Sequence, residues 1–385
     1  MSSNDLDDVD ELVGAFVAGF SRYDSSAHRD RLRALFDQGG PAALLAVGDR
    51  LETRSLRWRT EARQHLLDDV TQLLATRPGI EHVRACLALL SRPLGARRGP
   101  ERAVDLAMFQ PLEVLLAAIT GGCAADVLAC WIQELVVGGI RLDRHPVIAA
   151  YWRALAHPLA RLPLFLYDWE RGLGDHVLRP HDVVHGWPGG WTWSAPESLA
   201  GASPPTTIET VALPATMREP TAVVLGSPLE PREVPPSWRE PILSDVAGAW
   251  SIADGALAPT REVIALAWAD LVRRAPRSRQ PVRDLVELSA SGALRALFGA
   301  IARGGPYDRG GLGAGSRLRA WRLLAEGCGA PPDAGLEQIA HAAVDCRWAS
   351  FRVTGLHADE GWDFGIACVR ADARTLLLKV GTAAD

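Results

Sequence analysis

Lysine is nearly missing from this chain. A single one, Lys379, stands among 41 lysines and arginines in 385 residues. The bias toward arginine fits a GC-rich genome, and it also removes chemistry. A Walker-type phosphate loop needs a lysine behind its glycines, and a Schiff-base enzyme needs one as nucleophile. Lys379 falls in an expected strand near the C-terminus, which argues against both classes. Cysteine is sparse as well. Cys86, Cys123, Cys130, Cys328, Cys346 and Cys368 contain no Cys-x-x-Cys pair, and most lie in apolar contexts where a free thiol behaves as a small hydrophobe. No signal peptide is evident and the N-terminus is acidic, so a reduced, cytoplasmic protein is expected. No apolar run reaches the roughly 18 residues of a membrane span. The net charge of −5 gives no electrostatic pull toward nucleic acid or an anionic membrane. No cofactor motif is present, and no cofactor is expected.

What the chain does have is ordinary globular composition, with 48% hydrophobic and 23% charged residues. Its length points to two or three domains. In the first half, Leu6, Val9, Leu12, Val13, Phe16, Val17 and Phe20 recur at spacings of three and four, which marks one apolar helical stripe. Further helices are expected near 26–37, 41–53, 56–76, 79–91, 101–120, 124–138 and 146–157, separated by glycine and proline punctuation. Segments 112–119 and 127–137 are apolar on more than one face and should lie inside. A helix-pair stack and an irregular bundle both fit this pattern. Arg54, Arg57, Arg59 and Arg63 read as a solvated face among Glu52, Glu61 and Asp68.

The middle of the chain carries His176, His181 and His185 with Asp175 and Asp182 among them. His181 and His185 would share a helix face, a distant echo of the His-Glu-x-x-His zinc motif, and three histidines can hold a catalytic zinc. Pro180 and Trp187-Pro188-Gly189-Gly190 leave barely one turn for it, so polar loop residues are the competing reading. Trp187, Trp191 and Trp193 around two glycines signal a hairpin. Residues 196–241 are proline-rich, with strand-like runs at 206–213 and 221–225, and mark a connection between domains.

Beyond it, helices are expected near 241–251, 282–302, 316–328 and 335–346, with a strand starting at 261 that gives way to helix by 274. Alternating strands at 347–355, 362–370 and 374–380 close the chain as an antiparallel meander with helices on one face. The densest glycine cluster, residues 304–315, precedes the helix expected from Arg317, with Ser316 as its N-cap. Backbone N–H groups of Gly311, Gly313 and Gly315, with Ser316, Arg309 and Arg317, form a candidate anion site. A tight turn between packed helices is the competing reading. His357, Asp359, Glu360 and Asp363 form an acidic loop that could face those arginines or simply be solvated.

The run Gly304-Gly305-x-Tyr307 through Gly310, Gly311, Gly313 and Gly315 to Leu318-x-Ala320-Trp321-Arg322-x-Leu324-Ala325 resembles a family of uncharacterised actinobacterial proteins. Trp348, Trp362-Asp363-x-Gly365-x-Ala367-Cys368 and Thr382-x-x-Asp385 are similar to the same family. The chain departs from it at Ala373, where a turn glycine is expected after Asp372. The resemblance implies no activity, substrate or catalytic residue.

The expected architecture is α+β, with a helical domain over 1–170, a Trp- and Pro-rich connection over 171–240 and an α+β domain over 241–385. The expected function is a non-enzymatic interaction or regulatory protein presenting a helical surface to a protein partner. The alternative is a small-molecule or nucleotide-binding enzyme with its pocket at residues 304–315.

Overall fold

A computed structural model describes residues 9–16, 26–53, 60–121, 124–176, 209–213, 230–232, 246–253, 257–274, 282–303, 312–353 and 362–383. They divide into two compact units, one taking the described residues up to Leu164 and the other those from Phe165 onward.

The first unit is helical, with no strand among its described residues. Its helices are α1 (residues 9–16), α2 (Ser26–Thr53), α3 (Thr60–Thr76), α4 (Ile80–Leu90), α5 (Gly99–Phe109), α6 (Leu112–Thr120), α7 (Ala125–Val137) and α8 (Pro146–Ala154). α2 bends at Gly40, whose φ of 64° precedes Pro41. That is the break expected at Gly39-Gly40-Pro41, and it suits a residue without a Cβ.

The single helix expected over 101–120 is two helices. Gln110 and Pro111 are extended, because the proline ring pushes the residue before it out of the α region. Gln110 makes use of the break. Its amide N–H groups donate to Ala75 O at 2.8 Å and Arg77 O at 2.7 Å, and its Oε1 accepts from Gly79 N at 3.1 Å. One side chain thereby ties the α5–α6 turn to the α3–α4 turn.

α3, α5 and α7 lie side by side in one layer, and α2, α4, α6 and α8 neighbour one another in a second. Gln110 joins the ends of α3 and α5, and a Cβ added at Gly99 would lie 3.0 Å from Val127 Cγ2, joining the starts of α5 and α7. The three helices therefore run parallel. Of the two arrangements open from the sequence, the unit is the helix-pair stack. α7 is buried almost all round, from Val127 to Val137, including Trp131, Gln133 and Glu134.

In the second unit, strands β1 (Leu166–Tyr167) and β2 (Thr210–Val211) form a short parallel pair. An antiparallel sheet follows, built from β3 (Glu230–Arg232), β4 (Val246–Ser251), β5 (Val282–Leu288), β6 (Arg347–Val353), β7 (Trp362–Val369) and β8 (Thr375–Ala383), in the order β3-β4-β8-β7-β6-β5. Its helices are α9 (Arg261–Arg274), α10 (Ala290–Arg303), α11 (Gly313–Cys328) and α12 (Leu336–Val344). β7 lies inside the sheet, as its two-sided apolar pattern requires.

Helices cover both faces of the sheet rather than one. Val263, Ile264, Ala267, Trp268 and Leu271 of α9 share a core with Phe351, Ala367, Val369, Leu376, Leu378 and Val380. Residues of the opposite parity face α10–α12: Trp348 Nε1 donates to Ala343 O at 2.9 Å, and Cys368 Sγ lies 3.4 Å from Gly327 O.

Three further expectations are corrected. Residues 246–251 are strand, not helix, and they pair with β8 from Val246↔Val380 to Ser251↔Thr375. Residues 282–288 are the edge strand β5, and helix begins only at Ala290. Residues 261–274 are helical from the start, with Thr260 Oγ1 accepting from Val263 N at 3.4 Å.

Candidate functional site

The residues singled out at the glycine cluster converge on the start of α11. Arg309 and Gly311 lie outside the described residues. Gly313 and Gly315 do not precede the helix; they are its first and third residues, and Leu312 occupies the N-cap position with φ 51°. Ser316 is therefore not the cap. Its N–H bonds Leu312 O at 3.0 Å, and its buried hydroxyl has no partner among the described residues. His181, His185, His357 and Asp359 also lie outside the described residues, and only the backbones of His176 and Asp363 are described. Among the described residues no group of three or more His, Cys, Asp or Glu side chains could hold a metal ion.

Arg317 has a different task from the one expected. It occupies the buried stripe Ala314–Arg317–Trp321–Leu324 of α11, and its side chain is 0% exposed. A guanidinium there needs an anion, and Glu170 supplies it from 147 residues away. Arg317 Nε donates to Glu170 Oε1 and Arg317 Nη2 to Glu170 Oε2, each at 2.7 Å. Trp321 Nε1 donates to Oε1 at 2.7 Å, and Tyr167 N donates to Oε2 at 2.9 Å. Arg317 Nη2 also reaches Phe165 O at 2.7 Å. The carboxylate thus accepts four bonds in a parallel fork, which is what a buried charge requires.

Aromatic rings close over this pair. Trp169 stacks on Trp321 with centroids 6.4 Å apart and planes within 5°, and Tyr167 meets Trp321 edge-on at 6.5 Å. Burial and then the carboxylates of Glu337 and Glu170 raise the Tyr167 phenol above its ordinary pKa, against the pull of Arg317. Asp168 Oδ1 accepts from Trp169 N at 2.9 Å and Leu213 N at 3.2 Å, fixing β2 beside the same segment. The arrangement locks residues 165–170 onto α11 through Arg317 Nε and Nη2.

A second ionic cluster lies in the helical unit. Arg102, 5% exposed, forms ion pairs with Asp105, Nη1 to Oδ2 at 2.7 Å, and with Asp68, Nη2 to Oδ1 at 3.4 Å. Arg98 holds Glu101 at 2.9 Å and approaches Asp68 at 3.9 Å. Asp68 is therefore a buried partner of α5, not part of a solvated arginine face. Arg63, from that expected face, donates instead to the carbonyls of Leu51 and Glu52 at the end of α2. Burial works against the Arg102 charge, but Asp105, Asp68 and Glu101 outweigh it and raise its pKa. The neighbouring Asp69 is pushed up to about 7, chiefly by burial, with Asp68 adding to the rise and Arg29 and Arg102 opposing it.

The lone glutamate ending an apolar run and the arginine inside an apolar stripe were both visible in the sequence. Their pairing was not, because no spacing rule links positions 147 residues apart.

Together these units define an α+β protein. The chain belongs to a family of unknown function, DUF6183, whose model matches residues 26–385. The resemblance noted in the C-terminal motifs therefore extends through most of the helical unit. No curated protein and no solved structure matches this chain. Among the described residues, no helix is long and apolar enough to cross a membrane.

Proposed function

We propose that this protein is a non-enzymatic interaction or regulatory protein, and that its helical stack presents a surface to a protein partner. The supporting observation is one edge of the stack. Met108, Ile140 and Val147 are 41%, 36% and 42% exposed, and they are the large apolar side chains left open in this unit among the described residues. Met108 is near the end of α5, Ile140 follows α7 and Val147 opens α8. Because α5 and α7 run parallel, all three lie where the first layer turns into the second. Stacked helix pairs bind partners through such extended surfaces, and exposed methionine and aliphatic side chains supply apolar contact there.

The competing reading is an enzyme with a small-molecule pocket at residues 304–315, and what weighs against it is that Arg317 Nε and Nη2 are held by Glu170.

A photo-crosslinking residue placed at Val147 in the native host tests the proposal. It should trap a protein that the same residue at exposed Thr120, at the far end of α6, does not. Equal yields at both positions, or saturable heat on titrating phosphate or nucleotide into the chain, would favour the other reading.

A further inference from the structure

Cys328, Cys346 and Cys368 are scattered through the sequence but meet at one end of the sheet in the second unit. α11 ends at Cys328, Cys346 lies in the bend between α12 and β6, and Cys368 sits on β7 opposite Trp348. The Cys368 sulfur is 3.4 Å from Gly327 O, the Cys328 sulfur 3.4 Å from Ala325 O and the Cys346 sulfur 3.3 Å from Ala342 O. Arg370 enters the same corner, with Nε donating to Gly327 O at 3.2 Å and Nη2 to Glu326 O at 3.1 Å. The register that sets Trp348 opposite Cys368 brings Cys346, two residues before Trp348, to the same corner, where Cys368 and the Ala371 N–H both act on its thiol.

These contacts make the two thiols unequal. The hydrogen bond from Cys368 holds the Cys346 thiol below its ordinary pKa despite burial, with Ala371 N–H and the Arg370 charge adding to the effect. Burial raises Cys368 well above its ordinary value, and its bond to Cys346 raises it further. Cys86 and Cys130, by contrast, are pushed up to about 12 by burial, and neither has another thiol among its influences. A depressed thiol beside a protonated one is the arrangement in which one sulfur attacks and the other resolves.

We propose that Cys346 and Cys368 form an oxidisable dithiol, with Cys346 the attacking thiolate, Cys368 the resolving thiol and a hydroperoxide the oxidant. In the first step Cys346 sulfur attacks one peroxide oxygen. The S–O bond forms, the O–O bond breaks, and the leaving oxide takes a proton to become water or alcohol. Cys346 is then a sulfenic acid. In the second step Cys368 sulfur attacks Cys346 sulfur; the S–S bond forms, the S–O bond breaks, and hydroxide leaves as water with the Cys368 proton. Two electrons pass from the sulfur pair to the peroxide.

The test treats the full chain with hydrogen peroxide, alkylates the remaining thiols and maps the peptides by mass spectrometry. The expected result is loss of two thiols per chain, a peptide linked through Cys346 and Cys368, and Cys86 and Cys130 still alkylated. In Cys368→Ser, Cys346 should persist as a sulfenic acid that dimedone labels. A different linkage, such as Cys328 to Cys346, or oxidation of Cys86 and Cys130 at the same rate, would overturn the proposal. The peptide map of the unsubstituted chain decides the matter even if a variant fails to fold.

Discussion

Replacing Glu170 with glutamine probes the buried fork with almost no change of shape. The carboxylate accepts four bonds, two on each oxygen. The amide keeps two acceptor bonds on its oxygen. Its NH2 group would then face either both Arg317 Nη2 and Tyr167 N or both Arg317 Nε and Trp321 Nε1, donor to donor, and the guanidinium, its side chain 0% exposed, would lose the Glu170 charge. Removing one member of a buried pair typically destabilises by about 3–5 kcal/mol. With an m-value of about 3 kcal/mol/M in urea, the midpoint should fall by about 1 M or more. Tryptophan fluorescence and near-UV circular dichroism follow the change, because Trp169 and Trp321 stack beside the pair. Arg317→Met should lose a similar amount. The double variant Glu170→Gln/Arg317→Met should lose less than the two single losses combined, by about 2 kcal/mol. A Glu170→Gln protein within about 1 kcal/mol of the unsubstituted chain would refute the reasoning.

Three smaller predictions follow from other sites. Asp69 titrates at about 7 in the fold against an ordinary 3.8, so the folded state holds a proton that the unfolded chain releases, and this group's stabilisation falls as pH rises from about 4 to 7. At 1.36 kcal/mol per pH unit that is about 4 kcal/mol, so Asp69→Asn should leave stability near pH 4 unchanged and raise it at pH 8; equal stability of the two proteins at pH 8 would contradict this. Gly365→Ala would set a Cβ 2.6 Å from the Phe351 ring and should lower stability by about 1–3 kcal/mol, whereas Gly335→Ala, which meets nothing within 4 Å, should stay within about 0.5 kcal/mol. Ala373 adopts φ 51° between β7 and β8, so Ala373→Gly should raise the melting temperature by relieving about 1 kcal/mol of left-handed strain; a lower melting temperature would show that the turn does not need that freedom.

The turn at Ala373 also shows how far the sequence could be read. The closing meander was legible because Ala349, Phe351 and Val353 alternate in β6 and β7 is apolar on both faces, as an inner strand is, and even the unusual residue in the β7–β8 turn could be flagged. The stripe of α1 was legible at helical period, and α7 was legible as an inner helix because it is apolar on more than one face. β5 was not. A bulge between Arg283 and Val286, with Asp284 at φ 49°, breaks its alternation, so Val282, Leu285, Val286 and Leu288 repeat at spacings that mimic a helix. β4 misled for another reason. Val246-Ala247-Gly248-Ala249 has a helix-compatible composition, and what holds it extended is distant in sequence: the ladder with β8, and the Trp250 ring and Leu271 packed against Gly248. At the candidate site the residue types were read correctly, but their partners were not. Arg317 looked like an anion binder because local sequence shows the arginine and not the glutamate that neutralises it.

The account rests on the helical stack carrying a partner surface at the edge marked by Met108, Ile140 and Val147. The direct measurement is the affinity of the partner trapped at Val147 for the purified chain and for Met108→Glu/Ile140→Glu/Val147→Glu, with circular dichroism confirming that the variant folds. Burying three introduced carboxylates against a partner should weaken binding by about 2 kcal/mol or more, roughly thirtyfold. An unchanged dissociation constant in a folded triple variant would contradict the claim.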